Sequence, residues 1–129
     1  MFSFFKKDKP VKEEAVLSPA EKTAAEAVIA ETQAALADTD QTSDALAALY
    51  EKLGLAQAKL SDTDHAIASL EKSLGIKKSI GDGYKTLISL YNAKRATAAK
   101  SGDDAGIEYY MNKMDDMRQI AKQITISGN

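Results

Sequence analysis

The chain predicts an all-α fold of about five helices arranged as antiparallel helical hairpins. Three observations carry this expectation. Only two of the 129 residues are proline, Pro10 and Pro19, so no proline breaks a helix between Ala20 and Asn129. Large apolar residues recur at helical spacing between short polar breaks, and no alternating β pattern competes with them. Two stretches forty positions apart also match: 61–67 and 101–107 each run from a polar turn into a small residue (Ala66 or Gly106) and then Ile67 or Ile107. A period of about forty residues suggests stacked helical hairpins.

The elements follow in order. Residues 1–17 read as an arm, and 18–129 as one helical domain with a capping helix over 18–37 and two hairpins over 42–81 and 82–125. Helix one opens at Ser18-Pro19-Ala20-Glu21, where Ser18 can cap a free N–H, Pro19 suits the first helical position and Glu21 completes a capping box. Its apolar stripe is Ala25, Val28, Ile29, Thr32 and Leu36. Helix two starts near Thr42 or Ser43 and carries Leu46, Leu49, Tyr50, Leu53, Ala56 and Leu60. Helix three is expected over 63–79, with Ala66, Ile67, Leu70, Leu74 and Ile76. Asp82 is the expected cap of helix four, which carries Tyr84, Leu87, Ile88, Tyr91 and Ala98. Helix five runs from about Asp104 to near Thr125 through Ile107, Tyr110, Met111, Met114, Met117, Ala121 and Ile124. Short connections imply antiparallel neighbours.

Within 46–82, Tyr50, Leu53-Gly54, Ala66 and Leu70 stand at characteristic spacings, followed by a Gly81-Asp82 junction. On these residues the chain resembles the tetratricopeptide repeat family, with about two divergent repeats over 42–121. The spacing makes physical sense. Gly54 and Ala66 are small enough to let two helices approach, and Tyr50, Leu53 and Leu70 fill the space around them. The second unit is looser. Its turn and last helix align with the first at an offset of forty. An offset of thirty-four instead pairs Tyr84 with Tyr50 and Leu87 with Leu53. The family's final proline is missing from both units. The resemblance implies a tetratricopeptide-like superhelix acting as a non-enzymatic, protein-binding adaptor or scaffold, with the first helix of each pair lining a concave surface. It places Ala48, Glu51, Lys52, Leu55 and Lys59 of helix two on that surface. Lys85, Ser89 and Asn92 of helix four, on one polar face, join them as candidates to hold a peptide carboxylate or backbone. The plain alternative is a solvated face.

Charge is segregated along the chain despite a net of −2. Residues 1–12 carry +3, 13–71 carry −9, 72–100 carry +6 and 101–129 carry −2. Either an acidic partner docks on the basic stretch, or acidic and basic helices pack side by side and neutralise each other. Nucleic-acid binding through 72–100 is disfavoured by the overall acidity and the lack of a matching motif. All three Phe of the chain (Phe2, Phe4, Phe5) lie in the arm beside Lys6 and Lys7. They offer a weak anchor for an anionic membrane surface, the rival reading of the chain as a peripheral assembly protein. The alternative is a tail whose aromatics fold back on an exposed groove.

The chain has no Cys and no spanning apolar run, and its N-terminal lysines follow the apolar residues rather than preceding them, so a cytoplasmic location is expected, with the inner membrane surface as the variant. His65 is the only histidine. With Asp62, Asp64 and Glu71 nearby it could ligate a metal, but acidic residues in a first helical turn are better read as caps. No cofactor and no catalytic residue is expected. Met111, Met114 and Met117 read as the buried face of a terminal helix, with adaptable peptide binding as the alternative. Two repeats are fewer than a stable stack usually needs, so helices one and five are expected to cap it, or the chain self-associates.

Overall fold

A computed structural model describes residues 16–126. Among these residues there are five α-helices and no strand: α1 Pro19–Leu36, α2 Ser43–Lys59, α3 Thr63–Ile76, α4 Asp82–Lys100 and α5 Asp104–Ile126. Each helix packs on the next, most extensively α2 on α3 and α4 on α5, and α2 also approaches α4. The chain is thus built of antiparallel helical hairpins, with α1 lying against α2 in front. The arm's Phe2, Phe4, Phe5, Lys6 and Lys7 lie outside the described residues. No described helix is long and apolar enough to cross a membrane.

Local sequence explains where most helices begin. Ser18 Oγ accepts from the Glu21 N–H at 3.1 Å, and Glu21 Oε1 accepts from the Ser18 N–H at 2.9 Å, completing the capping box with Pro19 behind it. Thr42 caps α2 through the Ala45 N–H at 3.1 Å. Asp103 caps α5 through the Gly106 N–H at 3.0 Å. Three expectations need correction. Asp62 precedes α3, but its carboxylate binds the His65 ring at 2.9 Å instead of capping the backbone. Asp82 is the first residue of α4, not its cap. The free Gly83 N–H is met by the Glu51 carboxylate of α2, at 2.8 Å. Finally, α3 ends at Ile76, three residues early. Lys77 turns extended (φ −145°, ψ 114°), and its ammonium stands 3.5 Å from Asp44.

The tightest packing is between α2 and α3. A Cβ placed on Gly54 would lie 2.6 Å from Leu70 Cγ and 3.2 Å from the Ala66 carbonyl oxygen, and both Ala66 and Leu70 are 0% exposed. The same interface seals its polar groups: Ser69 Oγ donates to Gln57 Oε1 and Ser73 Oγ to the Ala47 carbonyl, both at 2.7 Å. Leu70 and Leu74 continue into a core with Leu87 and Tyr91 of α4 and Met117 of α5. Along α5 the methionines grade outward, from Met117 at 3% exposed through half-buried Met114 to Met111 at 53%. Met111 therefore belongs to the surface, while the adjacent Tyr110 packs against the core and stands 6.2 Å, ring centroid to centroid, from Tyr91 of α4.

Of the two candidate registers of the second hairpin, thirty-four pairs buried residues of α2 and α4, whereas forty is replaced by forty-one. Leu53 and Leu87 are both buried, as are Gln57 and Tyr91, and each pair is thirty-four positions apart. Asp62 and Asp103, which precede α3 and α5, are forty-one apart, as are buried Gln57 and Ala98. The two offsets differ by seven residues, about two helical turns, so both present the same face.

Gly54→Ala is expected to lower unfolding stability by about 1–3 kcal/mol in urea titrations, since forced overpacking at Leu70 outweighs the gain in helix propensity. Gly75 is the control: it too is helical, but a Cβ added there would meet nothing within 4 Å. Gly75→Ala is expected to stabilise by up to about 1 kcal/mol.

Candidate functional site

The first helices of the two hairpins share one surface, and two depressions lie on it. Between α2 and α4 a cleft of about 490 Å³ is lined by Leu55, Ala58, Lys59, Asp82, Lys85 and Thr86. Between α1 and α2 an apolar groove of about 400 Å³ is lined by Leu17, Ala24, Ala25, Val28, Leu55 and Ala56, with Glu21, Lys52 and Lys59 at its edges. Leu55 and Lys59 line both depressions, so α2 forms the wall between them. The surface is therefore apolar at its centre, with Lys52, Lys59 and Lys85 against Glu21 and Asp82 around it. Ser18, by hydrogen bonding, holds the Glu21 carboxyl below its usual value, helped by the nearby Lys59 charge.

The seven residues expected to bind a partner separate into four groups. Leu55, Lys59 and Lys85 come together in the α2/α4 cleft, while Lys52 faces the α1/α2 groove. Ser89 and Asn92 are exposed farther along α4 and do not line the cleft, and Asn92 Oδ1 accepts from Arg95 Nε at 3.1 Å and Nη2 at 3.0 Å. Glu51 is half-buried and engaged with the start of α4. Ala48 is exposed on α2. Sequence reasoning missed Leu17, Ala24 and Val28. Val28 sat in the helix-one stripe, but nothing local showed that part of the stripe faces open space.

The charge segregation is answered in part inside the fold. Lys94 of α4 meets Asp64 of α3 at 2.9 Å, and that hydrogen bond holds the Lys94 ammonium above its usual value. Lys77 faces Asp44, and Lys72 lies over the Tyr50 ring at 5.4 Å. The basic stretch thus packs against the acidic one, while Lys85 keeps no ion-pair partner among the described residues.

A further groove of about 280 Å³ between α3 and α5 lies over the core around Leu74, Leu87, Tyr91 and Ile120. Glu71 accepts the Tyr91 hydroxyl proton and stands 3.3 Å from Lys113 Nζ. Burial, then this bond to an anion, pushes the Tyr91 phenol far above its usual range. The three side chains satisfy one another, which makes them a tie across α3, α4 and α5. His65 is exposed and paired to Asp62, and no cluster of metal-ligating side chains occurs among the described residues. Set against known protein families, curated proteins and solved structures, the chain matches none.

Glu51→Ala is expected to cost about 1 kcal/mol, the usual worth of a helix cap, measured as a drop in the unfolding midpoint. Tyr91→Phe is expected to cost about 1–2 kcal/mol by removing a hydrogen bond to a charged acceptor.

Proposed function

We propose that this chain is a non-enzymatic adaptor of tetratricopeptide-like design that holds a segment of another protein in the α2/α4 cleft. One observation carries the reading. Leu55, Lys59 and Lys85, from the first helices of two successive hairpins, converge on a single depression. Packing of α2 on both α3 and α4 is the arrangement a helical-repeat stack requires, and Gly54, Ala66 and Leu70 fill the close-approach roles that the family pattern assigns them. The cleft joins an apolar wall to two ammonium groups with Asp82 opposite. That chemistry suits an extended or helical segment carrying an apolar anchor beside an acidic residue. The charged groups are exposed, so they contribute chiefly to encounter rate and orientation, and the apolar contact to affinity.

The test compares the native chain with Lys59→Glu plus Lys85→Glu as bait in native lysate. A partner held by the native chain is expected to be retained about tenfold less by the double variant, with the unfolding midpoint unchanged. Retention of the same partner at the same level by both baits overturns the assignment of the cleft.

A further inference from the structure

The apolar groove between α1 and α2 opens where the described chain begins. Leu17 is part of its lining, and Val16, the residue before it, is 72% exposed. Small residues form much of its wall, Ala24 and Ala25 from α1 and Ala56 from α2, leaving room for bulky side chains to enter. The helical domain itself contains no Phe. All three belong to the arm, at Phe2, Phe4 and Phe5.

We propose that residues 1–15 of this same chain dock in the α1/α2 groove, with the Phe side chains filling it. Three arguments converge on this occupant. The first is reach. Twelve residue steps lead from Phe5 to Leu17, an extended span of up to about 40 Å, against a length of about 27 Å for the 18-residue α1. The arm can therefore lie along the whole groove. The second is tethering. A segment covalently joined to its site is present at about millimolar effective concentration, so an apolar contact too weak to join separate molecules is filled within one. The third is charge. Residues 1–12 carry +3, and residues 16–71, which include both helices of the groove, carry −7. Exposed Glu26 and Glu31 of α1 are available to Lys6, Lys7, Lys9 and Lys12.

Docking has a consequence beyond covering apolar surface. Leu55 and Lys59 form the wall shared with the α2/α4 cleft, so an arm seated in the groove touches the same two side chains that a bound segment would use. The arm then competes with, or shapes, whatever enters the cleft. This last point rests on the proposed binding role of the cleft, whereas the docking itself does not.

Hydrogen exchange on the isolated protein tests the docking without reference to any partner. The full chain is compared with Phe2→Ser, Phe4→Ser and Phe5→Ser combined, a variant that leaves the described fold untouched. Amides of α1 and the last two turns of α2 are expected to exchange about tenfold faster in the variant, with α3 and α5 unchanged. A synthetic peptide of residues 1–15 at millimolar concentration is expected to restore the slower rate. Equal exchange in the full chain and the variant overturns the proposal. So does protection that grows with protein concentration, which assigns the groove to a second copy. Protection that arises only with vesicles of anionic lipid overturns it too, and assigns the arm to a membrane surface.

Discussion

The approach of α2 to α3 at Gly54 governs the rest of the molecule. No side chain stands at that position, so Leu70 of α3 lies against the backbone of α2 and is buried completely. A Leu held this close gains dispersion contacts on every side, and the two helices become one rigid block. The same Leu70 then forms the floor on which Leu87 and Tyr91 of α4 rest, and through them Met117 of α5. The second hairpin is thus stacked on the first through a single continuous core. With no Cys in the chain, nothing covalent supplements it.

Polar ties set the register that the apolar core leaves loose. Ser73 to the Ala47 carbonyl and Ser69 to Gln57 lock α3 to α2 in one position, since a slip of either helix would strand buried hydrogen-bonding groups. Glu51 reaches from α2 to the first turn of α4, and Tyr84 donates to the Met117 carbonyl at 2.9 Å across α4 and α5. Exposed pairs such as Lys94 with Asp64 add little energy individually. Their signs still match the observed order of helices, with Lys94 of α4 on Asp64 of α3 and Lys113 of α5 on Glu71 of α3. Two ion pairs, Lys77 with Asp44 and Lys94 with Asp64, thus join the basic stretch to the acidic one across packed helices.

Much of the site was out of reach of local reasoning. Helix two carried its candidates on one face, yet that face divides between two depressions, and only the positions of α1 and α4 decide which residue serves which. Ser89 and Asn92 satisfied the spacing for one polar stripe with Lys85. They lie beyond the cleft because the two helices draw together near the start of α4, where Glu51 ties them. Glu51 itself looked like a surface acid. Its role as a cap depends on a helix thirty residues later in the chain, which no nearby sequence signal announces.

The sequence by itself determined the helices and their starts at Ser18 and Thr42, and it picked out Gly54, Ala66 and Leu70 as the point of closest packing. These are short-range matters, settled by propensity, capping and the size of a side chain at a fixed spacing. The tertiary structure alone decided the early end of α3, the cap of α4 and the exposure of Met111. It also decided how the register of α4 is resolved: thirty-four at one end and forty-one at the other, two turns apart on one face. Each of those depends on what a neighbouring helix supplies across space, and two registers separated by whole turns are indistinguishable until that neighbour is in place.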